Sequence, residues 1–232
     1  MVGAARWVGT AALIGFVIGP LMAHFWIAAP LTGFILFALG GLLGIIALVV
    51  GIIAIARGAG GAALPGLVIG VVVTGAFLAI ALPGRGVPRI NDITTDTASP
   101  PQFAHAGALE GNHGRDMAYP GESFAAQQRA GYPDLAPLQL PLAPEEAFKR
   151  VEGAARTVKN WEITRVDATA HALEGVATSG FFRFRDDFVV EVRPHEGGSI
   201  VQMRSKSRDG QGDIGANAAR IKAFFAKLME AL

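Results

Sequence analysis

The chain has 232 residues, of which 51% are hydrophobic, and it carries a net charge of +1, 30 Gly and no Cys. The lack of Cys excludes disulfides, thiolate nucleophiles and cysteine-ligated zinc or iron–sulfur sites. The near-neutral charge, without the basic stripe that a phosphate backbone requires, argues against nucleic acid as a partner.

The charged residues are distributed very unevenly along the chain. Between Trp7 and Gly84 the only charged side chain is Arg57, and every other charge except Arg6 lies at or after Arg85. The first third of the sequence is therefore typical of a lipid-soluble segment, and the remainder is typical of a water-soluble one.

Three apolar segments in residues 1–82 are long enough to cross a membrane, because a helical span takes roughly 20 residues. They cover residues 7–28, 31–56 and 64–82. Pro30 and the glycine-rich sequence after Arg57 mark the turns between them. We therefore predict an all-α bundle of three transmembrane helices over residues 1–82.

The first of these segments is the weakest, because Pro20 and His24 interrupt it. Residues 20–30 either complete the span or lie in the membrane interface, where Trp26 would be an anchor. A retained span is favoured over a cleaved signal peptide, since two further apolar segments follow at once.

Glycines recur at helix-packing spacing in all three segments, and the pairs are Gly15 and Gly19, Gly40 and Gly44, and Gly66 and Gly70. This spacing favours packing of the helices on each other over packing on a partner. The spans contain no Asp, Glu or Lys, which argues against an ion pathway or a proton relay. His24, at a span end, is more typical of an interfacial residue than of a haem ligand, so no cofactor is predicted.

The orientation follows from the arginines that flank the spans. Arg6 and Arg57 fall on one side, whereas Arg85 and Arg89 fall on the other but precede a long domain, where the positive-inside rule weakens. The expected location is the cytoplasmic (inner) membrane, with several spans and a periplasmic C-terminal domain.

Residues 83–143 are rich in proline, with Pro83, Pro88, Pro100, Pro101, Pro120, Pro133, Pro137 and Pro141. Because proline lacks the amide donor and fixes φ, long helices and central strands are disfavoured here. We predict an extended arm with turns, packed in part on the domain that follows.

Residues 144–232 have a regular pattern. Pro144 opens a helix, and a second amphipathic helix begins near Asp213. Alternating stretches predict strands over residues 161–167, 173–185, 188–193 and 199–205, with a tight turn at residues 185–187. The predicted fold is a soluble α+β domain, with an antiparallel sheet of three to four strands flanked by two helices.

Two stretches carry a resemblance to a known family. The first reads Pro-Arg-Ile-Asn-Asp-Ile-Thr-Thr-Asp-Thr from Pro88, followed by Pro-Pro-Gln-Phe from Pro100. The second joins three pieces: Phe-Arg-Asp-Asp from Phe184, Arg-Ser-Lys-Ser-Arg from Arg204, and Asp-Ile-Gly-Ala-Asn-Ala-Ala-Arg-Ile from Asp213.

Residues 85–232 thereby resemble the uncharacterised DUF1499 family. The three-span N-terminus is similar to that of the membrane-bound proteobacterial members. The resemblance implies a domain that works outside the cytoplasmic membrane, and it implies no catalytic residues.

The most informative polar cluster lies around the last strand, the last helix and the arm. Its members are Arg204, Ser205, Ser207, Arg208, Asp213, Asn217, Arg220, Asp92 and Asp96. In the favoured interpretation, Asp213 caps the helix and the arginines clamp the arm onto the domain through bidentate carboxylate pairs. In the other interpretation, the cluster binds an anion, such as a phosphate headgroup or a peptide carboxylate, at a helix N-terminus.

No metal site or catalytic site is predicted. His105, Glu110, His113 and Asp116 are possible metal ligands by type, but they lie in a glycine-rich part of the arm that lacks a rigid element. The chain also has no Gly-x-Ser-x-Gly elbow, and Gly210 lacks the βαβ context of a dinucleotide site.

Three functions remain as hypotheses. The first is a non-enzymatic envelope protein that is anchored by its spans and binds membrane lipid or a protein partner at the membrane face. The second is a hydrolase or other enzyme with a site built from Asp92, Asp96, Arg204 and Arg208. The third is an accessory subunit of a larger membrane complex that docks through its glycine-lined helices.

Overall fold

The computed structural model describes residues 2–230, so Met1, Ala231 and Leu232, which end the predicted domains, lie outside the described residues. The chain forms two compact units. One comprises the residues up to Arg85 together with Gly180–Arg183, and the other comprises Gly86–Ser179 together with the residues from Phe184 onward. The predicted division of the chain at residues 82 and 143 stays a prediction.

The first unit is helical. Its helices are α1 (Val2–His24), α2 (Pro30–Ala56) and α3 (Leu64–Ala81), and a 3-10 turn, Gly60–Ala63, precedes α3. Within residues 2–230, three helices are long and apolar enough to cross a membrane. This finding confirms the predicted all-α bundle.

Helix α1 continues through Pro20 to His24, so the proline does not end it. Proline is tolerated inside apolar helices where neighbouring helices can satisfy the backbone groups that it frees. Pro30 is the first residue of α2, where the missing amide donor has no helical partner to lose.

In this unit most of the large apolar side chains are exposed and small residues are buried, which is the reverse of the arrangement in a water-soluble core. Residues such as Ile18, Ile52 and Val72 are about half exposed, whereas the buried positions are mostly Gly and Ala. A Cβ atom on Gly19 would stand 2.5 Å from the carbonyl oxygen of Gly33, so the backbones of α1 and α2 are in direct contact. An apolar surface of this extent is stable in lipid and not in water.

The segment Gly180–Arg183 belongs to this helical unit. The ring centroid of Phe182 lies 5.4 Å from that of Phe34 and 5.3 Å from that of Phe37, both in α2. The strand predicted over residues 173–185 therefore ends earlier, because these residues pack with apolar rings and do not continue the sheet.

The second unit contains an antiparallel sheet with six strands among the residues described. They are β1 (Asp92–Thr94), β2 (Leu138–Leu140), β3 (Trp161–Asp167), β4 (Ala172–Thr178), β5 (Arg185–His195) and β6 (Gly198–Ser207). The strand order is β1-β6-β5-β4-β3. Strand β2 also pairs with β6, at residues 199–201, whereas β1 pairs with residues 204–206 of the same strand. The α+β class is confirmed, but the predicted count of three to four strands was too low, because two short strands of the arm pair with β6.

The tight turn predicted at residues 185–187 is wrong, since these residues open β5. Asp186 pairs with Ser207 and Asp187 with Lys206, which continues the ladder to the end of β6. Adjacent acids are typical of turns, but here each carboxylate has a cationic partner on its own face of the sheet. Strand β3 has the predicted bounds.

Three helices accompany the sheet: α4 (Glu122–Gly131), α5 (Pro144–Arg156) and α6 (Ala216–Glu230). The apolar faces of α5 and α6 pack on one face of the sheet, where Phe148, Phe188, Met203 and Phe224 form part of a buried core. Helix α4 was not predicted. Its Gln128 exchanges two hydrogen bonds with the backbone of Thr94 and so satisfies the open edge of β1.

Candidate functional site

The alternation of side chains along β6 divides the predicted polar cluster between the two faces of the sheet. Ser205 contacts α6, so it lies on the helix-covered face. Arg204 and Lys206 point to the opposite face, which we call the arm face because Pro101 and Met117 of the arm contact it. Neighbours in a strand point to opposite faces, so residues adjacent in the sequence belong to two separate clusters.

On the arm face, Arg204 and Asp92 form the most deeply buried ion pair. Arg204 donates from Nε and Nη2 to the two oxygens of Asp92, each over 2.8 Å, and both side chains are 0% exposed. Lys206 adds a third donor to the same carboxylate at 2.8 Å. Asp92 is therefore saturated by two cations, as the clamp interpretation requires.

The arm encloses the rest of the Arg204 guanidinium. Its Nη1 and Nη2 atoms donate to the carbonyl oxygens of Pro101 and Met117. The carbon Cζ lies 4.8 Å from the ring centroid of Phe103 and 5.5 Å from that of Tyr119. Burial, aided by the negative charge of Asp92, raises the pKa of Tyr119 to about 12, so this ring stays protonated in the site.

A second buried cluster is centred on Asp187. Arg208 donates to this carboxylate from Nε and Nη2, and Asn112 of the arm donates to it at 2.9 Å. Arg115 lies 3.8 Å away and also donates to the carbonyl oxygen of Ser207. The carboxylate thus fastens a further part of the arm to β5 and to the end of β6.

Glu174 on β4 anchors the arm in a different way. Its carboxylate accepts hydrogen bonds of 2.8 Å from the amides of Ala104, His105 and Ala106. The side chain is almost fully buried. Three consecutive amides that converge on a carboxylate form a nest in which the charge is stabilised without a cation.

The helix-covered face holds the remaining members of the cluster. Asn217 accepts from Ser205 and donates to Ser207 at 2.9 Å, and Arg220 joins Ser205 to Asp186. These contacts fix the first turns of α6 against the ends of β5 and β6.

Asp213 precedes α6 and accepts from the amides of Gly215 and Asn217, over 2.9 Å and 2.8 Å. Burial raises the pKa of its carboxyl even though both amides act to lower it. This is the capping role of the favoured interpretation.

Asp96, the second arm acid of the predicted cluster, lies with different partners. Its carboxylate accepts from the amides of Ala98 and Ser99 and from Gln202 at 3.0 Å. Asp96 stabilises a turn of the arm, and the acid that pairs with Arg208 is instead Asp187 of β5.

Two of the cavities in the described part of the chain open on the arm face. The larger, of about 490 Å³, is lined by Glu110, Gly111, Glu162, Thr164, Arg185 and Arg208, with Leu109 and Val176 as apolar walls. The smaller, of about 230 Å³, lies among Arg165, Asp167, Glu191 and Arg193, in which each arginine pairs with an acid of its own strand.

Among residues 2–230, no group of three or more His, Cys, Asp or Glu side chains is placed to hold a metal ion. Within the arm, Glu110 lines the larger cavity, and Asp116 accepts from the amide of Ala118 in a local turn.

A family model described as "Protein of unknown function (DUF1499)" matches residues 92–228. The chain belongs to the DUF1499 family. The resemblance carried by the motifs around Pro88 and Arg204 is thereby confirmed. A search of the curated proteins finds no match.

The DUF1499 match begins at Asp92 and ends inside α6, so it includes both partners of every buried pair described above. The arm and the sheet are therefore matched as a single DUF1499 unit, in which the arm covers the charged face.

The sequence analysis did not assign five charged residues of these DUF1499 clusters: Arg115, Glu174, Asp186, Asp187 and Lys206. Asp186 and Asp187 were predicted to form a turn, and no role was predicted for Arg115, Glu174 or Lys206. A signal was present in β5, because Asp187, Glu191 and Arg193 alternate with Phe188, Val190 and Val192. Such alternation is also typical of a solvated face, and only the position of the arm makes this face buried.

Proposed function

We propose that this DUF1499 protein is a non-enzymatic envelope protein of the membrane-bound type, whose soluble domain binds a protein or lipid partner at the membrane face. The observation that carries the proposal is the ion pair between Arg204 and Asp92, in which both side chains are fully buried and bind each other. These are the residues on which an enzymatic site would depend, and each of them already has a structural partner.

The hydrolase hypothesis loses support from the same contacts. Asp96 is held by two backbone amides and by Gln202, and Arg208 is held by Asp187. A general acid or base must reach the reacting group directly or through one water. Of the four proposed residues, Arg208 lines the larger cavity on the arm face, where its Nε and Nη2 atoms are held by Asp187.

The proposed location is the inner membrane, with the soluble domain in the periplasm. Three apolar helices that expose Ile, Leu and Val support the membrane anchor. The positive-inside rule supports the orientation, because Arg6 and Arg57 then lie in the cytoplasm.

Cysteine labelling in intact cells tests this orientation, because the natural chain has no Cys to interfere. Ala168→Cys lies in the exposed turn between β3 and β4, and Ala62→Cys lies in the exposed turn before α3. A membrane-impermeant maleimide should label Ala168→Cys in intact cells, and should label Ala62→Cys only after the cells are broken. The reverse pattern would place the soluble domain in the cytoplasm.

Purification in mild detergent tests the binding role. The proposal expects a protein or lipid that co-purifies with the full chain and depends on the soluble domain. A stoichiometric set of membrane proteins retained through α1, α2 and α3 would favour the accessory-subunit hypothesis instead. Hydrolysis of a model phosphate ester or carboxylate ester that Asp96→Asn abolishes would overturn the non-enzymatic assignment.

A further inference from the structure

The larger cavity on the arm face has the size of a small-ligand site and an unusual distribution of charge. Its volume is about 490 Å³, within the range of about 300–1,000 Å³ typical of such sites. Two arginines and two glutamates line it. The charged side chains differ in burial, because Arg208 is 9% exposed whereas Arg185 is 41% and Glu162 is 70% exposed.

The ion pair with Asp187 fixes the position of the Arg208 guanidinium. Asp187 engages its Nε and Nη2 atoms and leaves Nη1 without a hydrogen-bond partner among the described residues. A Cβ atom on Gly111 would stand 2.5 Å from this Nη1 atom. The glycine thus lets the arm backbone pack closely against this guanidinium nitrogen. Since the nitrogen is already held in position, ordering it for a ligand carries little entropic cost.

Two further donors share the cavity with Arg208. The Oγ1 atom of Thr164 is buried and has no hydrogen-bond partner among the residues described. A β-bulge between Ile163 and Arg165 interrupts the pairing at this point of β3. Bulges re-aim side chains and are frequent beside functional sites.

Arg185 supplies the third donor. Within residues 2–230 its one ion pair is a 3.4 Å contact with Glu162, and both side chains are substantially exposed. Such a pair contributes little to stability, so a ligand can replace it readily. Three separate donors suit a tetrahedral phosphate, which offers more oxygens than the two of a carboxylate.

The acids limit which phosphate can enter. Glu110 and Glu162 are exposed at the mouth, where they would repel a multiply charged anion. The same carboxylates would attract an ammonium group at the outer end of the ligand. The charge pattern, with a guanidinium in the interior and carboxylates at the mouth, is therefore complementary to a zwitterion.

We propose that this cavity binds a phosphate–amine zwitterion with the chemistry of a phosphoethanolamine headgroup. The phosphate lies between Arg208, Arg185 and Thr164, and the ammonium lies beside Glu110 and Glu162. This inference rests on the proposed function, since it names the ligand class that the binding domain takes. The headgroup belongs either to a membrane lipid or to a soluble phosphodiester.

Titration of the full chain in detergent micelles tests both halves of the ligand. Glycerophosphoethanolamine should bind saturably in calorimetry. Two related compounds should each bind with an affinity lower by at least about tenfold. They are glycerol phosphate, which lacks the ammonium, and glycerophosphocholine, whose ammonium cannot donate hydrogen bonds. Equal affinity for all three compounds would overturn the zwitterion assignment.

Gly111→Ala and Gly107→Ala form a matched pair of variants. The added methyl at Gly111 would overlap Nη1 of Arg208 and displace the guanidinium from its place in the cavity wall, whereas at Gly107 its nearest described neighbour is Cγ of Met117 at 3.5 Å. Binding of glycerophosphoethanolamine should weaken about tenfold or more in Gly111→Ala and stay unchanged in Gly107→Ala. Thr164→Val and Arg185→Gln should each weaken it without disturbing the pair between Arg208 and Asp187.

Reconstitution into nanodiscs with and without phosphatidylethanolamine separates the two sources. If the lipid is the ligand, phosphatidylethanolamine should remain with the wild type through detergent washing and be lost from Gly111→Ala. If the soluble diester is the ligand, only the titration should respond to the variant. Either response supports the site.

Failure of this proposal is distinguishable from failure of the proposed function. No headgroup binding and no lipid retention in the wild type, or equal binding in the wild type and Gly111→Ala, would overturn the cavity assignment. A partner that still co-purified with both proteins would then leave the binding role of the domain intact.

Discussion

Arg204 and Asp92 lie 112 residues apart in the sequence, yet their side chains form a bidentate ion pair with two N···O distances of 2.8 Å. The pair joins β6 to β1, the first strand of the arm. Around it, arm carbonyls and aromatic rings enclose the guanidinium. The part of the charged face around Arg204 is thus covered by the segment that precedes the sheet in the chain.

Arg204→Ala should lower the free energy of unfolding by about 3–5 kcal/mol, because it leaves Asp92 buried with Lys206 as its remaining cation. Denaturant unfolding of the second unit, followed by tryptophan fluorescence from Trp161, measures the loss. Arg193→Ala is the control, since Arg193 pairs with Glu191 on the same face in a partly exposed position. It should cost about 1 kcal/mol or less. Comparable losses in the two variants would contradict the clamp.

Glu174→Gln should loosen one specific part of the arm. The amides of Ala104, His105 and Ala106 would then face a neutral group with a single acceptor oxygen, at a cost of about 1.5–3 kcal/mol. Hydrogen exchange should accelerate at these three amides. Glu191→Gln, whose carboxylate contacts Arg193, should leave their exchange unchanged. Uniform acceleration across the arm would indicate general destabilisation instead.

Gly40→Ala should destabilise the helical unit, whereas Gly75→Ala should not. A Cβ atom on Gly40 would overlap the backbone of Ala12 and Phe16 in α1, while one on Gly75 has no neighbour within 4 Å. Separation of the packed backbones should cost about 1–3 kcal/mol. Thermal aggregation in detergent measures the difference. Equal midpoints for the two variants would show that α1 and α2 do not pack closely at this position.

Asp213 should make stability fall as the pH rises. Burial raises the pKa of its folded carboxyl above the ordinary value of 3.8. Between these two pKa values the folded state binds more protons than the unfolded state, so raising the pH through this interval weakens folding. Asp213→Asn keeps an acceptor for the helix amides but does not titrate.

The free energy of unfolding of the wild type minus that of Asp213→Asn isolates this effect. The difference should decrease as the pH rises from about 4 and level off above the folded pKa. A difference that increases over this interval would mean that the helix amides outweigh burial and lower the pKa.

Several elements of the fold were predictable because their signals are local. The three apolar helices follow from uninterrupted hydrophobic segments, and β3 follows from alternation between Trp161 and Asp167. Helix α4 was missed because a proline-rich context concealed a ten-residue helix. Strands β1 and β2 were missed because three residues are too few to show a period, and their partner strand lies more than 50 residues away.

The candidate site was predictable by residue type and not by arrangement. The sequence indicated that arginines near residue 204 and acids in the arm belong together, and Arg204 and Asp92 do pair. The partners of Arg208 and Arg220 are instead Asp187 and Asp186. Adjacent acids in β5 lie on opposite faces, so one predicted cluster became two.

By itself, the sequence determined that the first part of the chain forms three helices apolar enough to cross a membrane, that the second unit is of the α+β class, and to which family the chain belongs. Composition and local periodicity carry this information, because lipid and water select side chains residue by residue. Only the tertiary structure decided that Arg204 and Asp92 are buried beneath the arm and that Arg208 and Gly111 line the same cavity. Those outcomes depend on where the arm lies over the sheet, and contacts between residues far apart in the sequence fix that position.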